Sequence, residues 1–360
     1  MASVPSDELV QDRETPPREV RASREREARP LNMPAVVGIT GAASHLGRHL
    51  VGLLEEDVAV ERIVCLDVAK PETAGSKTTH CELDLADERS APTLADALVR
   101  ERVEAVLHLA FRSSPRADSI LSHELESVGT FHLVNGCRRA GVRKIVMWSQ
   151  TMLYGARPNN PNYISERHPL GARQRDLFFA SKIDAEEEVL RFGRPGSGRL
   201  ATILRTAPIL GPTVTNVLTR YLSLRGIPTI LGFDPLWQVL HEADAVAAFR
   251  LAVEADASGI FNIASRGVLP LSKMIKSAGA RALPMPRVLV EAALSALWAA
   301  RLSSAPPSFL DHLQYLCVTD TSLARKTLGF DPFYTITETV SEFASARRLR
   351  AARLVPTPAP

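Results

Sequence analysis

The sequence predicts an α/β protein with a doubly wound parallel sheet and a smaller, interleaved C-terminal part that binds substrate. Short runs that are apolar throughout alternate with longer amphipathic segments between residues 34 and 264. Strands of that kind are buried by helices on both faces of a parallel sheet. A glycine-containing turn follows the first run and opens a helical segment. After residue 206 prolines interrupt the pattern, which marks the smaller part.

The strand predictions rest on apolar runs bounded by turn residues. They are AVVGI (35–39), RIVCLD (62–67), VEAVLHLA (103–110), KIVMWS (144–149), LATILR (200–205) and GIFNIA (259–264). Helical periodicity follows most of them, as in TLADALVRERV, SHELESVGTFHLVNGCRRAG and DAEEEVLRF. A strand followed by a helix and then another strand is the repeating unit of a doubly wound fold.

Composition divides the chain into segments. Residues 1–33 are rich in Arg, Glu and Pro and poor in large apolar residues, which predicts a disordered N-terminal tail. Residues 34–205 form the main, nucleotide-binding domain. Residues 206–345 form most of the substrate-binding part, with 236–264 returning to the main domain. Residues 346–360, a basic helix end followed by a Pro-rich stretch, are expected to form the C-terminal tail.

Charge and cysteine content exclude several classes of function. Lys and Arg total 43 against 40 for Asp and Glu, so the net charge of +3 does not predict a nucleic-acid partner. The four cysteines are far apart, which predicts neither a metal site nor disulfides. The longest apolar run, residues 288–300, is too short for a membrane span, and the N-terminus has no apolar leader. We therefore expect a cytoplasmic protein.

The turn after the first strand, ITGAASHLGRHLVGLL, predicts a phosphate site. Gly41 permits a tight turn and close approach of the backbone to a ligand, and Gly47 permits close helix packing. The free N–H groups at the start of the following helix attract a pyrophosphate. Ser44, His45 and Leu46, between the glycines, are expected to bind the cofactor with them.

Asp67 strengthens this prediction because it ends the second strand, about twenty residues beyond Gly47. At that spacing a carboxylate accepts hydrogen bonds from the adenosine ribose hydroxyls. It also repels a 2′-phosphate, so NAD is favoured over NADP. The nearby cations Arg48 and Lys70 leave NADP open.

Several motifs in order, TGAASHLG, CLD, LDLAD, VLHLA, SQTMLYG, ILRTAPILGP and LHEADAVAA, identify a family resemblance. Over about residues 34–345 the chain resembles the extended short-chain dehydrogenase/reductase family, the NAD-dependent epimerase/dehydratase group. The resemblance implies a Rossmann-type fold. It also implies that Asp84 and Leu85 line an adenine pocket, and that Leu109 and Ala110 pass the ribose and nicotinamide.

The same resemblance implies a reaction and its partners. These enzymes transfer hydride between nicotinamide and a carbinol or carbonyl carbon, which here would belong to a nucleotide sugar. A homodimer through the helices at 119–140 and 180–192 is also implied. Whether Pro208, where the family often has asparagine, favours a more hydrophobic substrate is left open.

The catalytic positions depart from the family pattern. A tyrosine normally exchanges the proton and a lysine four residues later lowers its pKa. Lys182 matches the lysine, but Phe178 stands in the tyrosine's place and has no exchangeable proton. Gln150 occupies the serine or threonine position, with Ser149 beside it. We take Lys182, Gln150 and Ser149 as the candidate catalytic residues.

The origin of the missing proton is left open by the sequence. Glu126, at a position where the family usually has asparagine, is a further departure. Alternative donors that the resemblance places near the site are Tyr154, Tyr163, Glu166, His168 and His241. For these residues a structural role is favoured over a catalytic one.

The apolar helix LVEAALSALWAARL allows two interpretations. Core or dimer packing of residues such as Leu289, Ala293 and Leu297 is favoured over a lid for a hydrophobic substrate. If the helix is a lid, a lipid or sterol-like substrate would replace the nucleotide sugar.

Three functional hypotheses therefore remain. The first is an NAD(P)-dependent epimerase, dehydratase or dehydrogenase with a non-standard proton donor. The second is a non-catalytic NAD(P)-binding sensor or scaffold. The third is an interaction module that keeps the fold without the cofactor, and only Ser44 within the glycine turn favours it.

Overall fold

The computed structural model describes residues 33–112, 123–171, 177–303 and 305–352. The predicted N-terminal tail lies outside these residues except for Met33, and so do the last eight residues of the chain.

A seven-stranded sheet forms the centre of the fold, and all its neighbouring strands are parallel. Its strands are β1 (Val36–Thr40), β2 (Arg62–Asp67), β3 (Thr78–Glu82), β4 (Ala105–His108), β5 (Lys144–Gln150), β6 (Leu200–Thr206) and β11 (Gly259–Ile263). Their order across the sheet is β11-β6-β5-β4-β1-β2-β3. The predicted doubly wound fold and its six strands are confirmed. The sequence analysis missed β3, an edge strand whose residues TTHCE carry no apolar alternation.

Helices cover both faces of the sheet. One face packs against α1 (His45–Glu56) and α6 (Glu242–Glu254). The other packs against α2 (Ser90–Arg100), α3 (Gly129–Ala140) and α4 (Leu177–Phe192). A single π-helical turn, Glu124–Val128, leads directly into α3, and a 3₁₀ turn, Thr151–Tyr154, follows β5. Both irregular turns lie at the carboxyl edge of the sheet, where α/β proteins bind ligands.

The C-terminal part has its own core between three small sheets and several helices. The strand pairs are β7 (Ile209–Leu210) with β10 (Leu240–His241), β9 (Leu236–Trp237) with β12 (Leu269–Pro270), and β8 (Gly226–Ile230) with β13 (Arg281–Met285). The helices are α5 (Val217–Leu222), α7 (Leu271–Ser277), α8 (Arg287–Ala299), α9 (Ser322–Leu328) and α10 (Ile336–Ala351), with a 3₁₀ segment at Pro307–Leu313. Between these elements α6 and β11 contribute to the main domain.

The last helix includes the basic residues at the C-terminal end of the described chain. Helix α10 continues to Ala351, so residues 346–351 form the end of this helix, as their basic composition led us to expect. Arg347 donates hydrogen bonds to the carbonyl oxygens of Leu222 (2.7 Å) and Ala278 (2.6 Å), which attaches the end of the helix to its neighbours. Within the described ranges no helix has the length and apolarity needed to cross a membrane.

Candidate active site

The turn between β1 and α1 has a backbone path that only glycine allows at two positions. Gly41 has φ +69°, and a Cβ atom there would lie 2.6 Å from the carbonyl oxygen of Leu109. A Cβ atom on Gly47 would lie 2.2 Å from the carbonyl oxygen of Gly41. Both distances are far inside van der Waals contact. The chain therefore passes as close to itself here as a dinucleotide-binding turn requires.

The three residues between these glycines have different roles. Ser44 caps α1, because its Oγ accepts a hydrogen bond from the backbone N–H of Gly47 at 3.1 Å. The side chain of Leu46 packs into the core beneath the sheet. The Nε2 atom of His45 lies 3.4 Å from Glu242 Oε2 on α6. Of the three, Ser44 lines the cleft beside the turn, and His45 and Leu46 do not.

Asp67 fixes the turn from the neighbouring strand. Its Oδ2 accepts a hydrogen bond from the backbone N–H of Ala43 at 2.9 Å, while the residue remains only partly buried. A cleft of about 350 Å³ opens at this point. The predicted cofactor residues that line it are Gly41, Ser44, Asp67, Asp84, Leu85, Leu109 and Ala110. The structure thus brings into one cleft residues that come from the carboxyl ends of four strands or the loops after them.

Lys182 is fully buried beside that cleft and forms an ion pair. Its Nζ donates hydrogen bonds to Glu126 Oε1 at 2.6 Å and to the carbonyl oxygen of Arg112 at 3.1 Å. Burial lowers the pKa of Lys182, and the charge of Glu126 and its hydrogen bond act in the opposite direction. The lysine predicted from the sequence is thus held by a carboxylate 56 positions away in the chain.

Glu126 lies on the π-helical turn, an irregularity that is frequent at functional sites. Its Oε1 also accepts the backbone N–H of Arg112 at 2.8 Å, and the whole side chain is buried. Its Oε2 is equally buried, yet has no hydrogen-bond partner among the described residues. An unsatisfied carboxylate oxygen is costly in a protein interior, and Glu126 itself lines neither of the cavities described here. The sequence analysis noted Glu126 as a departure but assigned it no partner.

Two aromatic rings place Lys182 between two cavities. Its Nζ lies 4.3 Å from the ring centroid of Phe178 and 5.2 Å from that of Phe111. Phe111 lines the cleft described above, whereas Phe178 lines a second, larger cavity. Phe178 is 5% exposed and packs edge-on against Phe179. The ring therefore lies between the buried ammonium and the second cavity and contributes no exchangeable proton.

The second cavity has a volume of about 780 Å³ and an almost entirely apolar lining. Gln150, Met152 and Phe178 line it from the main domain, and Gln150 and Phe178 stand at the positions where the family carries catalytic groups. The residues of α8 that line it are Val290, Ala293, Leu294 and Leu297. Only Val290 of that helix is buried, in a small cluster with Ile230 and Leu310, so most of α8 lies outside the core, and the dimer packing allowed by the sequence stays a prediction. The helix covers a cavity.

Ser149 and Gln150 point to opposite sides of β5, as successive strand residues do. The Ser149 hydroxyl donates to Glu186, and Glu186 forms a buried ion pair with Arg205. Arg205 Nη1 also donates to the Tyr154 hydroxyl at 2.9 Å. This network lies within the main domain and lines neither cavity. The geometry therefore favours a structural role for Ser149 and leaves Gln150 facing the cavity.

The alternative proton donors also lie away from the large cavity. The Tyr154 hydroxyl is fully buried and donates to Asn262 Oδ1 at 2.8 Å. Glu166 accepts the backbone N–H of Asn262, and His241 lies 3.1 Å from Glu342 Oε2 and stacks on Tyr334. Tyr163 and His168, like these three, are absent from the described lining. Across the described part of the chain, no group of acidic, histidine and cysteine side chains could hold a metal ion.

Comparison with known families and proteins agrees with this arrangement. The model of the NAD dependent epimerase/dehydratase family matches residues 37–264. An uncharacterised protein of Mycobacterium tuberculosis is 32% identical over 320 residues, which cover 88% of this chain and 85% of that protein. A 3-diazoavenalumate denitrifying reductase of a Streptomyces species is 26% identical over 264 residues, or 70% of this chain and 83% of the reductase.

Among solved structures, the Thermus thermophilus UDP-glucose 4-epimerase in complex with NAD has the same fold. It superimposes with a TM-score of 0.67 and 19% identity over 87% of this chain and 99% of the epimerase.

Proposed function

The chain belongs to the NAD-dependent epimerase/dehydratase family, and on that premise we propose that it is an NAD(P)-dependent oxidoreductase with a non-standard proton donor. The proposed reaction transfers hydride between a nicotinamide and a carbinol or carbonyl carbon. One observation carries the proposal: Lys182 lies between a dinucleotide-type cleft and a large second cavity.

The cleft fits a nicotinamide dinucleotide. The backbone at Gly41 packs against Leu109 and the backbone at Gly47 packs against Gly41, and neither position has room for a Cβ atom, as the tight turn of a dinucleotide-binding site requires. Asp67 lies where a carboxylate can accept hydrogen bonds from the adenosine ribose, which favours NAD over NADP. The Lys182 ammonium is the group we assign to the second ribose, with Glu126 as its ion-pair partner. When bound, the dinucleotide supplies the hydride donor or acceptor.

Two residues are assigned to the reacting end of the substrate. The Gln150 carboxamide faces the large cavity and can hydrogen-bond a carbonyl or hydroxyl oxygen without exchanging a proton. Lys182 has exchangeable protons next to Phe178, and burial makes its ammonium more acidic than an exposed one. We assign Lys182 Nζ as the proton source, with Glu126 as the positioning residue that holds it, and the proton has to pass the Phe178 ring to reach the large cavity.

The nucleotide-sugar substrate stays a prediction, and the cavity lining does not favour it. A nucleotide sugar carries a pyrophosphate, which proteins bind with cations or helix N-termini. Arg220 is the single charged residue among the described residues that line the cavity, and it is exposed. A nucleotide sugar should therefore be tested beside less polar alcohols and ketones.

A non-catalytic NAD(P)-binding sensor or scaffold is the second candidate. It is favoured by Phe178 together with the cavity lining, whose described residues include no Asp, Glu, His, Lys or Cys side chain. In this case cofactor binding persists, and replacing Phe178 with tyrosine changes no readout.

Turnover assays on matched lysine variants separate the two candidates. NAD reduction and NADH oxidation are followed by near-ultraviolet absorbance with nucleotide sugars, apolar alcohols and apolar ketones. We expect Lys182→Met to lower turnover by a factor of about 10² to 10⁴, as removal of a proton-transfer group does. Lys144→Met is the control, because Lys144 is also buried but donates to the carbonyl oxygen of Val253 at 3.2 Å, away from both cavities. Cofactor binding without turnover on any substrate would favour the sensor and contradict the enzyme.

The predicted homodimer concerns α3 and α4, which pack against each other on one face of the sheet. Phe131, on α3, is 51% exposed. Light scattering of the purified full chain tests the prediction, and a monomer mass would contradict it.

A further inference from the structure

The large cavity differs from a sugar site in how its polar groups are used. Asn216 Nδ2 donates to the carbonyl oxygen of Ile209 at 2.7 Å, and its Oδ1 caps α5. Thr206 Oγ1 accepts the indole N–H of Trp148 at 2.9 Å. The Tyr221 hydroxyl donates to the carbonyl oxygen of Pro228 at 2.8 Å. These polar side chains line the cavity but are already bonded to the protein itself.

Gln150 is the exception at the inner end. Its side chain lines the cavity close to Phe178, and among the described residues its carboxamide forms no side-chain hydrogen bond that stabilises the fold. An amide offers both a donor and an acceptor to a single oxygen of a ligand. The inner end can therefore recognise one carbonyl or hydroxyl group, whereas a sugar would present several.

Apart from Arg220 and Ser303, the rest of the lining is apolar, and this character continues to the outer surface. Four leucines that line the cavity are also substantially exposed: Leu224 (47%), Leu283 (49%), Leu297 (46%) and Leu302 (76%). Exposed apolar residues that are contiguous with a cavity mark a binding surface for apolar groups. When an apolar molecule covers these side chains, their apolar surface is removed from water, which favours binding.

We propose that the cavity binds an apolar, drug-sized alcohol or ketone of sterol-like size, with its single oxygen at Gln150 and its hydrocarbon body under α8. A cavity of about 780 Å³ falls within the range of pockets that enclose such ligands. The proposal rests on the proposed function, because it names the substrate class of the same site. It assigns α8 the role of a lid.

Binding of a fluorescent sterol alcohol, dehydroergosterol, tests the proposal with the full chain. Leu297→Glu places a carboxylate in the cavity mouth, and Leu289→Glu places one on the same helix outside the lining. Both positions are exposed, at 46% and 55%, so both variants should fold. We expect dehydroergosterol to bind the unmodified chain, cholesterol to displace it, and Leu297→Glu to weaken binding at least tenfold while Leu289→Glu changes it less than twofold.

Three results would overturn the proposal. The first is no sterol binding, and the second is equal weakening of binding by both variants. The third is displacement of the probe by UDP-glucose at lower concentration than by cholesterol. A calorimetric titration with NAD on the same samples distinguishes failure of the proposed oxidoreductase from failure of the proposed substrate class. Sterol binding without NAD binding would contradict the proposed oxidoreductase alone, and NAD binding without sterol binding would contradict the substrate class alone.

Discussion

Replacing Glu126 by glutamine should destabilise the protein far more than the loss of one surface charge. Glu126 and Lys182 are 0% and 2% exposed at their side chains, and the Nζ to Oε1 distance is 2.6 Å. Glutamine keeps the shape of glutamate but leaves the buried ammonium without a counter-charge. Breaking a buried pair in this way costs about 3–5 kcal/mol. We expect a decrease of about that size in the free energy of unfolding at neutral pH.

Urea unfolding followed by circular dichroism measures this effect, with Asp87→Asn as the control. Asp87 pairs with Arg89 at 2.9 Å on the surface, where the Arg89 side chain is 91% exposed. Removal of an exposed pair of this kind should change the free energy of unfolding by about 0–1 kcal/mol. The double variant Glu126→Gln with Lys182→Met should recover part of the loss, because it also removes the uncompensated charge.

The pH dependence has a definite sign. Burial already lowers the folded-state pKa of Lys182, and removing Glu126 lowers it further. Between the folded and unfolded pKa values the unfolded state binds more protons, so the stability of Glu126→Gln should rise with pH in the alkaline range. Comparisons of the free energy of unfolding between variants are accurate to about 0.5 kcal/mol. If Glu126→Gln lowers this free energy by less than that at neutral pH, the buried ion pair is refuted.

Two further predictions concern the turn and the sheet. Gly47→Ala should abolish NAD binding or prevent folding, because the added Cβ atom would lie 2.2 Å from a carbonyl oxygen. Gly52→Ala in the same helix is the control, since its added Cβ atom would have its nearest contact at 3.7 Å. We expect this control to stabilise the folded protein by up to about 1 kcal/mol, measured by thermal unfolding. Burial lowers the pKa of His108 to about 3 in the folded state, while the unfolded state keeps the ordinary value of about 6.5. Below about pH 6.5 the unfolded state therefore binds the extra proton, and the free energy of unfolding should fall by up to about 1.4 kcal/mol per pH unit as the pH decreases. Above about pH 6.5 this contribution to stability is complete. His108→Gln should remove that part of the pH dependence, and an unchanged acid profile would contradict the neutral, buried imidazole.

The sequence predicts the main domain well because the signals there are local. A strand buried on both faces must be apolar throughout, so six of the seven strands of the central sheet are recognisable. The edge strand β3 is not, because its partly exposed residues need no apolar character. The glycine turn is predictable for the same reason: a backbone that passes 2.2 Å from where a Cβ would lie excludes every other residue at Gly47.

The geometry of the site depends on contacts that periodicity does not reveal. Glu126 and Lys182 meet only because α4 packs beside the π-helical turn that leads into α3. The choice between Ser149 and Gln150 depends on which face of β5 each residue occupies, and the predicted run KIVMWS, which ends at Ser149, leaves that open. Helix α8 has core-like composition, yet only Val290 is buried, and the other three α8 residues that line the cavity face it.

Calorimetric titration of the purified full chain with NAD and NADP is the measurement to make first, since the proposed oxidoreductase depends on a bound dinucleotide. We expect stoichiometric binding of NAD and weaker binding of NADP. For Asp67→Ala we expect NAD affinity to fall by about ten- to a hundredfold, because the variant removes hydrogen bonds to a charged group. Absence of binding by either dinucleotide to the folded chain would contradict the proposed oxidoreductase and leave the fold as an interaction module.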